Sequence, residues 1–276
     1  STPVATYFSV GAMYAYKQYN ERYKLDGTIF SETTKEALDI VYYAFVVPNA
    51  DGSCYLTDTS YLEEVKELKN HNVRIVACVN GVSTDTCKAF MTISADTTLR
   101  QKFVNNLMDL VEEYNLDGVD IDWEFPTDET DRNNMAMLCQ SLRKKLTLLE
   151  DGNGSSYLVT AAIPSHQSYL KFNFKLLNES LDYVNMMSYD MNLAGRATHL
   201  CPLFKANNDG NIGYGIDQGV KWFTDAGLDK DKIIIGAAFY GKAYKVTGQS
   251  LGSKYPGLGA MAELYHMQYQ SGTVTY

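Results

Sequence analysis

The chain has 276 residues, 45% of them hydrophobic and 21% charged, enough to bury a sizeable core in one large domain or two small ones. Its formal charge of -9 argues against a nucleic-acid or anionic-membrane surface, where clustered Lys and Arg supply the affinity. No run of about 18 apolar residues is present to span a bilayer, and STPVATYFSV at the start lacks the basic and apolar regions of a secretory leader. A leader is expected to have been removed or to lie outside this chain. The five cysteines (54, 78, 87, 139 and 201) form no C-x-x-C pair and the four histidines are scattered, which argues against zinc and for buried free thiols.

In chain order the pattern alternates strand and helix. A first strand covers Thr6 to Val10, and Tyr14, Tyr16 and Tyr19 after it could either stack sugars or pack a loop. A second runs from Asp39 to Val47. An apolar stripe at Leu62, Val65 and Leu68 predicts a helix, followed by a third strand over Val73 to Asn80. A long helix then carries Leu99, Phe103, Leu107, Leu110 and Val111 at helical spacing, with Asp96 as its expected N-cap. The fourth strand is DGVDIDWEFP, residues 117 to 126. After it come a helix through Met135, Leu138, Leu142 and Leu146, a turn at DGNGSS, and a fifth strand over Tyr157 to Pro164. The sixth strand spans Leu181 to Asp190. A helix around Gln218 to Ala226, which takes Trp222 into the core, leads to the seventh over Lys232 to Gly241.

These strands are near-continuous apolar runs separated by helices, the pattern of parallel strands covered on both faces. Seven such units point to an α/β protein, a (β/α)8 TIM barrel. A doubly wound sheet is the alternative, weakened because no Gly-rich phosphate loop follows the first strand. An eighth strand is not visible. The chain is expected to be one domain over 1–276, truncated at its C-terminus, with 243–276 belonging to an insertion after strand seven.

The fourth strand carries four acidic residues among Val, Ile, Trp and Phe. Side chains alternate along a strand, so Asp120, Asp122 and Glu124 share one face and Val119, Ile121, Trp123 and Phe125 the other. In a barrel the carboxylates face the lumen, with Glu124 at the C-terminal end where barrel active sites sit. Asp117 has the opposite parity and reads as a structural hydrogen-bonding residue beside Gly118. Three inward carboxyls cannot all ionise comfortably, so at least one pKa should rise and a proton should be shared along the row. Acid–base catalysis, a Mg²⁺ carboxylate site and a purely structural role all remain open on residue types; a Ca²⁺ loop fails because its sixth position would be Phe125 rather than Gly.

Asp117-x-x-Asp120-x-Asp122-x-Glu124 resembles the signature of glycoside hydrolase family 18, the chitinases. Tyr42–Phe45 is similar to the family's second strand, Met187-x-Tyr189-Asp190 to its sixth, and Ile233–Lys242 to its seventh strand with the loop after it. Trp123 with Phe125 and Pro126 favours the chitinase branch over the endo-β-N-acetylglucosaminidases. The resemblance implies a retaining hydrolysis of β-1,4-linked N-acetylglucosamine in which the substrate's acetamido oxygen is the nucleophile. Glu124 would then be the acid and base, Asp122 would hold the acetamido group, Asp120 would share its proton and Tyr189 would bind the acetamido carbonyl. Met187, Asp190, Phe45 and Tyr240 would line the sugar pocket. No metal or cofactor and no obligate protein partner is implied; the partner is chitin or chito-oligosaccharide, and the setting extracellular.

Two departures stand out. The family's third-strand motif is Ser-x-Gly-Gly, and here Cys78, Val79, Asn80 and Gly81 occupy it. A thiol is a weaker donor than a hydroxyl, so Cys78 either tunes the Asp120–Asp122 couple or acts as a small buried hydrophobe. The Trp expected at the end of an eighth strand, flooring the −1 sugar, has no match. A non-catalytic chitin-binding lectin on the same fold, or a hydrolase of another N-acetylated glycan, are the competing expectations.

Overall fold

The computed structural model describes residues 2–24, 27–166, 172–193, 196–206, 213–244 and 261–264. They fall in two compact units, Ser1–Ala162 with Lys171–Val184, and Ile163–Leu170 with Asn185–Tyr276.

The first unit is built on a parallel sheet. Strand β1 (Ala5–Ser9) leads directly into helix α1 (Val10–Tyr23); a short helix α2 (Glu32–Ala37) precedes β2 (Ile40–Pro48), and a three-residue strand β3 (Cys54–Leu56) turns back against the end of β2. Then come α3 (Leu62–Lys66) with a 3-10 turn, β4 (Arg74–Gly81), α4 (Thr84–Ala95), α5 (Thr97–Glu113), β5 (Gly118–Trp123), α6 (Glu129–Asn153), β6 (Leu158–Pro164), α7 (Phe174–Ser180) and β7 (Tyr183–Met187). The strand order is β1-β2-β4-β5-β6-β7. The pairs β1–β2, β2–β4, β4–β5 and β5–β6 are all parallel.

The outer face of this sheet packs on helices. Val119, Ile121 and Trp123 are at most 1% exposed. Trp123 stacks on Phe90 of α4 with ring centroids 5.4 Å apart, and Phe90 meets Phe103 of α5 edge-on at 6.2 Å. Helix starts follow their caps: the Asp96 carboxylate accepts from Leu99 N–H at 2.8 Å and Asp128 from Asp131 N–H at 2.8 Å. Asp96 caps α5 as the spacing predicts. Helix α4, ahead of it, was not expected, because it buries Ala89, Phe90 and Ile93 among threonines and a serine, which blur a 3.6-residue stripe. Helix α1 was missed for a related reason. Among its described residues only Val10, Met13 and Asn20 are buried, so its pattern carries no stripe.

Asp117 and Arg143 tie the N-terminal ends of the strands together. Asp117 Oδ2 accepts from Ile75 N–H at 2.8 Å and its Oδ1 lies 3.2 Å from Lys69 Nζ. Gly118 follows with φ 153°, and a Cβ there would sit 2.1 Å from the Leu158 carbonyl oxygen, so β5 and β6 approach more closely than any side chain allows. Arg143 of α6 pairs with Asp182 and donates to the Ser180 and Tyr157 carbonyls at 3.2 and 3.3 Å. Its guanidinium gathers three segments at once. Arg143→Ala should therefore lower stability by about 1–3 kcal/mol, read as a lower urea midpoint with an unchanged m-value.

In the second unit the end of β7 pairs with β8 (Ile233–Ile235), where Gly236 N–H donates to Met186 O at 2.9 Å. Helix α8 (Ile216–Asp225) precedes β8 and buries Ile216, Gly219 and Phe223. Trp222 is half-buried against Tyr214, centroids 5.2 Å apart, rather than a full core residue. The seventh strand is shorter than the apolar run suggested. It stops at Ile235, and Gly241–Tyr244 forms a separate strand β9, antiparallel to β10 (Met261–Leu264). The rest of the expected insertion, 245–260 and 265–276, lies outside the described residues, as does the side chain of Tyr14. Tyr16 and Tyr19 sit on α1. Tyr16 donates to the Thr28 carbonyl at 2.5 Å and Tyr19 packs on Tyr23 at 4.6 Å, so both have packing roles.

Candidate active site

The inner face of the first unit's sheet carries the acidic row. The register sets Asp120 level with Cys78 on β4 and with Thr160 on β6, and it sets Asp122 level with Asn80. Each carboxylate is thus flanked across the sheet by residues one strand spacing away.

Asp120 is fully buried. Thr160 Oγ1 donates to its Oδ1 at 2.6 Å and Tyr7 Oη donates to its Oδ2 at 2.9 Å. The Cys78 thiol hydrogen-bonds to it as well. Tyr7 stands on β1, three strand positions from β5, which in a flat sheet is about 14 Å. A tyrosine cannot bridge that distance, so the sheet curls and β1 and β5 face each other across its concave side. Tyr7 is 40% exposed as a residue and stacks on Tyr42 at 4.6 Å, while its hydroxyl reaches a carboxylate with no exposure. Burial of that hydroxyl and the Asp120 charge hold the phenol protonated, its pKa well above the usual value. Burial and Asp120 likewise push the Cys78 thiol far up, so it stays a thiol and a donor.

Asp122 is 7% exposed and hydrogen-bonded to Glu124. Burial first, then the charges of Glu124 and Asp120, raise its pKa to about 9, so it holds a proton at neutral pH. Its Oδ1 is buried without a hydrogen-bond partner among the described residues. An acceptor left this way costs free energy and marks a place for a donor to arrive. Glu124 is half-buried, the first residue after β5, with its N–H held by the Gly81 carbonyl at 3.1 Å. Gly81 leaves no room for a Cβ, which would lie 2.7 Å from Trp123 Cα and 2.8 Å from Asp122 O.

A model of glycosyl hydrolases family 18 matches residues 8–276. The chain belongs to glycosyl hydrolases family 18. It is 26% identical to Chitinase 1 of Aphanocladium album over 94% of this chain and 69% of that one. It is 27% identical to Endochitinase 1 of Metarhizium robertsii over 69% of this chain, which spans 46% of that relative. Among solved structures, the immunomodulatory active chitinase of Trichuris suis superposes with a TM-score of 0.80 at 23% identity, over 93% of this chain and 72% of that one. The fold is accordingly the TIM-barrel type of the family, with a curled parallel sheet whose path β1-β2-β4-β5-β6-β7-β8 holds seven barrel strands among the described residues.

Within this family frame, Cys78 proves both buried and polar in use. It belongs to the apolar cluster with Tyr42, Ala44 and Val76, and it still hydrogen-bonds to Asp120. Phe45 is partly buried against that same cluster. Cys78 and Cys139 are buried, Cys54 and Cys87 half-buried and Cys201 exposed, all as free thiols, so burial does not extend to all five. Among the described residues no group of three His, Cys, Asp or Glu could hold a metal ion.

The second unit carries the remaining candidates. Met187 ends β7, Ser188 Oγ donates to Gly236 O at 2.8 Å, and Tyr189 meets Tyr240 edge-on with centroids 6.3 Å apart. A Cβ on Gly236 would lie 2.8 Å from the Tyr189 ring, so this glycine makes the ring's seat. Asp190 turns out of the strand with φ 54° and is exposed. Tyr7 and Thr160 escaped the reading of the sequence. Their signal was parity alone: Thr160 is the single hydroxyl in an apolar run, level with Asp120.

Proposed function

We propose that the protein hydrolyses β-1,4 linkages between N-acetylglucosamine units of chitin or chito-oligosaccharides with retention of configuration, by substrate-assisted catalysis. The observation that carries this is the Asp122–Glu124 pair, hydrogen-bonded on one strand, with one Asp122 oxygen buried and without a hydrogen-bond partner among the described residues. Ordinary retaining glycosidases place two carboxyls about 5–5.5 Å apart on opposite sides of the scissile bond. Asp122 and Glu124 instead lie side by side, two residues apart in the chain, so neither suits attack from the far side. The nucleophile is then the substrate's own acetamido oxygen, held at high effective molarity, as is general in family 18.

Glu124 passes to the departing glycosidic oxygen the proton that Asp122 holds toward it, which leaves Asp122 a carboxylate, and afterwards takes a proton from water. Asp122 accepts the acetamido N–H on its open oxygen and stabilises the positive charge that develops on the ring formed by acetamido attack. Asp120, held by three donors, supports Asp122. In the second unit Tyr189, Met187, Asp190 and Tyr240 are the sugar-binding candidates that the family resemblance implies. No step draws on a metal or cofactor. A polymeric substrate of this kind fits a secreted protein.

The test is incubation with chito-oligosaccharides, following products and their anomers. Retained β-anomeric products support the proposal. Inverted products would overturn substrate assistance. Binding without turnover by the wild-type protein would make it a chitin-binding lectin, and turnover only on another N-acetylated glycan would move the substrate class.

A further inference from the structure

Asn80 occupies an unusual place. Its Cα is the register partner of Asp122, and it shares the inner row of β4 with Cys78, which touches Asp120. The side chain is half-buried and fixed from one side only. Its Oδ1 accepts from Val82 N–H at 2.7 Å and from Thr86 Oγ1 at 3.4 Å. Because Val82 offers an N–H, the oxygen of the amide must be the atom turned toward it, which assigns the other atom as Nδ2. That leaves the two N–H donors of Nδ2 with no hydrogen-bond partner among the described residues. One strand spacing away lies the open, buried Oδ1 of Asp122. A spare donor and a spare acceptor thus sit at the same level on neighbouring strands, about 4.8 Å apart in backbone spacing.

We infer that Asn80 is a specificity-determining residue whose Nδ2 donates to the ring hydroxyl next to the acetamido group of the sugar held by Asp122. An N-acetylated sugar matches the pair: its amide N–H is a donor, and the hydroxyl oxygen on the adjoining ring carbon is an acceptor. Asp122 reads the first and Asn80 the second. The turn that Asn80 closes with Val82 and Thr86 spends its oxygen and pre-orders the side chain, so little rotamer entropy remains to be lost on binding. This inference rests on the proposed function and adds to it a requirement on a second substituent of the same ring.

The test pairs two protein variants with two substrates: a chito-oligosaccharide, and its analogue lacking that one hydroxyl on the sugar at the cleavage site. Asn80→Ala keeps the Cβ but has neither a donor nor an acceptor for the sugar hydroxyl. Asn80→Gly removes the side chain altogether. The wild-type protein should prefer the natural substrate by roughly 3- to 10-fold in kcat/KM, the range for one neutral hydrogen bond, expressed mainly in KM. Both variants should lose that preference and be indifferent to the missing hydroxyl. Should Asn80→Gly fail to fold, Asn80→Ala carries the comparison. The pH profile of Asn80→Gly should match wild type; a shifted profile would mean that Asn80 acts on Asp122 rather than on the sugar and would overturn the inference. Variants that discriminate as wild type does would overturn it too, leaving the proposed function intact. A wild-type protein that neither binds nor cleaves either substrate would remove both.

Discussion

Glu124→Gln should bind chito-oligosaccharides about as well as the wild-type protein while cleaving them roughly 10²- to 10⁴-fold more slowly, the usual contribution of a positioned proton donor, or about 3–5 kcal/mol of transition-state stabilisation. The expectation rests on three features of the residue. Its N–H is held by the Gly81 carbonyl, so the backbone around it stays in place when the side chain changes. Its side chain is half-buried beside Asp122, and a glutamine can accept the same hydrogen bond from the protonated Asp122. What the glutamine cannot do is deliver a proton to a leaving oxygen or accept one from water. The loss should appear in kcat with KM little changed, the mark of an interaction made in the transition state alone. Less than a tenfold loss in kcat would take the acid role away from Glu124. A parallel loss of binding would mean that the substitution had disturbed the pocket rather than the chemistry.

The alternation of Asp120, Asp122 and Glu124 with Val119, Ile121 and Trp123 was legible because period two is a strong local signal, and the latter three are buried; Phe125, expected with them, lies past the end of β5 and is exposed. The need for one raised pKa was legible too, since three inward carboxyls imply it without coordinates. Which carboxyl carries the proton was not. That depends on Thr160, Tyr7 and Cys78 satisfying Asp120 while Asp122 Oδ1 has no donor. These are contacts across four strands, and no window of sequence contains them. Helices were legible in proportion to their apolar stripe, so α5 and α6 stood out. Helix α1 did not, because its described buried residues are few, and α4 did not because its buried Ala89, Phe90 and Ile93 are interspersed with threonines and a serine. The third-strand departure was visible as residue types, but its meaning was divided. Cys78 turned out to keep a donor's place inside an apolar cluster, and Asn80 put its oxygen into a turn. Neither outcome follows from composition; both follow from the register that aligns β4 with β5.

Asp122→Asn should separate stability from catalysis. In the folded protein, burial and the charges of Glu124 and Asp120 lift the Asp122 pKa to about 9, whereas in the unfolded chain it returns to an ordinary aspartate value of about 3.9. Between those two values the unfolded chain releases the proton and the folded protein keeps it. The folded state therefore binds more protons across this window, and its stability falls as pH rises from about 4 toward 9. Asparagine cannot ionise in either state, so the variant lacks this slope. It should be nearly as stable as wild type at pH 4 and more stable by several degrees in Tm at pH 8, with the gap widening steadily between. The same substitution should slow cleavage about 10²-fold or more, because an amide cannot become the carboxylate that stabilises positive charge beside the sugar. Thermal unfolding at a series of pH values reads the first effect and steady-state hydrolysis the second. A gap in Tm that narrows with rising pH would mean that Asp122 is ionised in the folded protein and that the proton of the row resides elsewhere. A wider gap with unimpaired hydrolysis would mean that the protonated pair serves the fold alone. A more stable and slower enzyme is the outcome required if the strained proton on Asp122 is kept for the sake of the reaction.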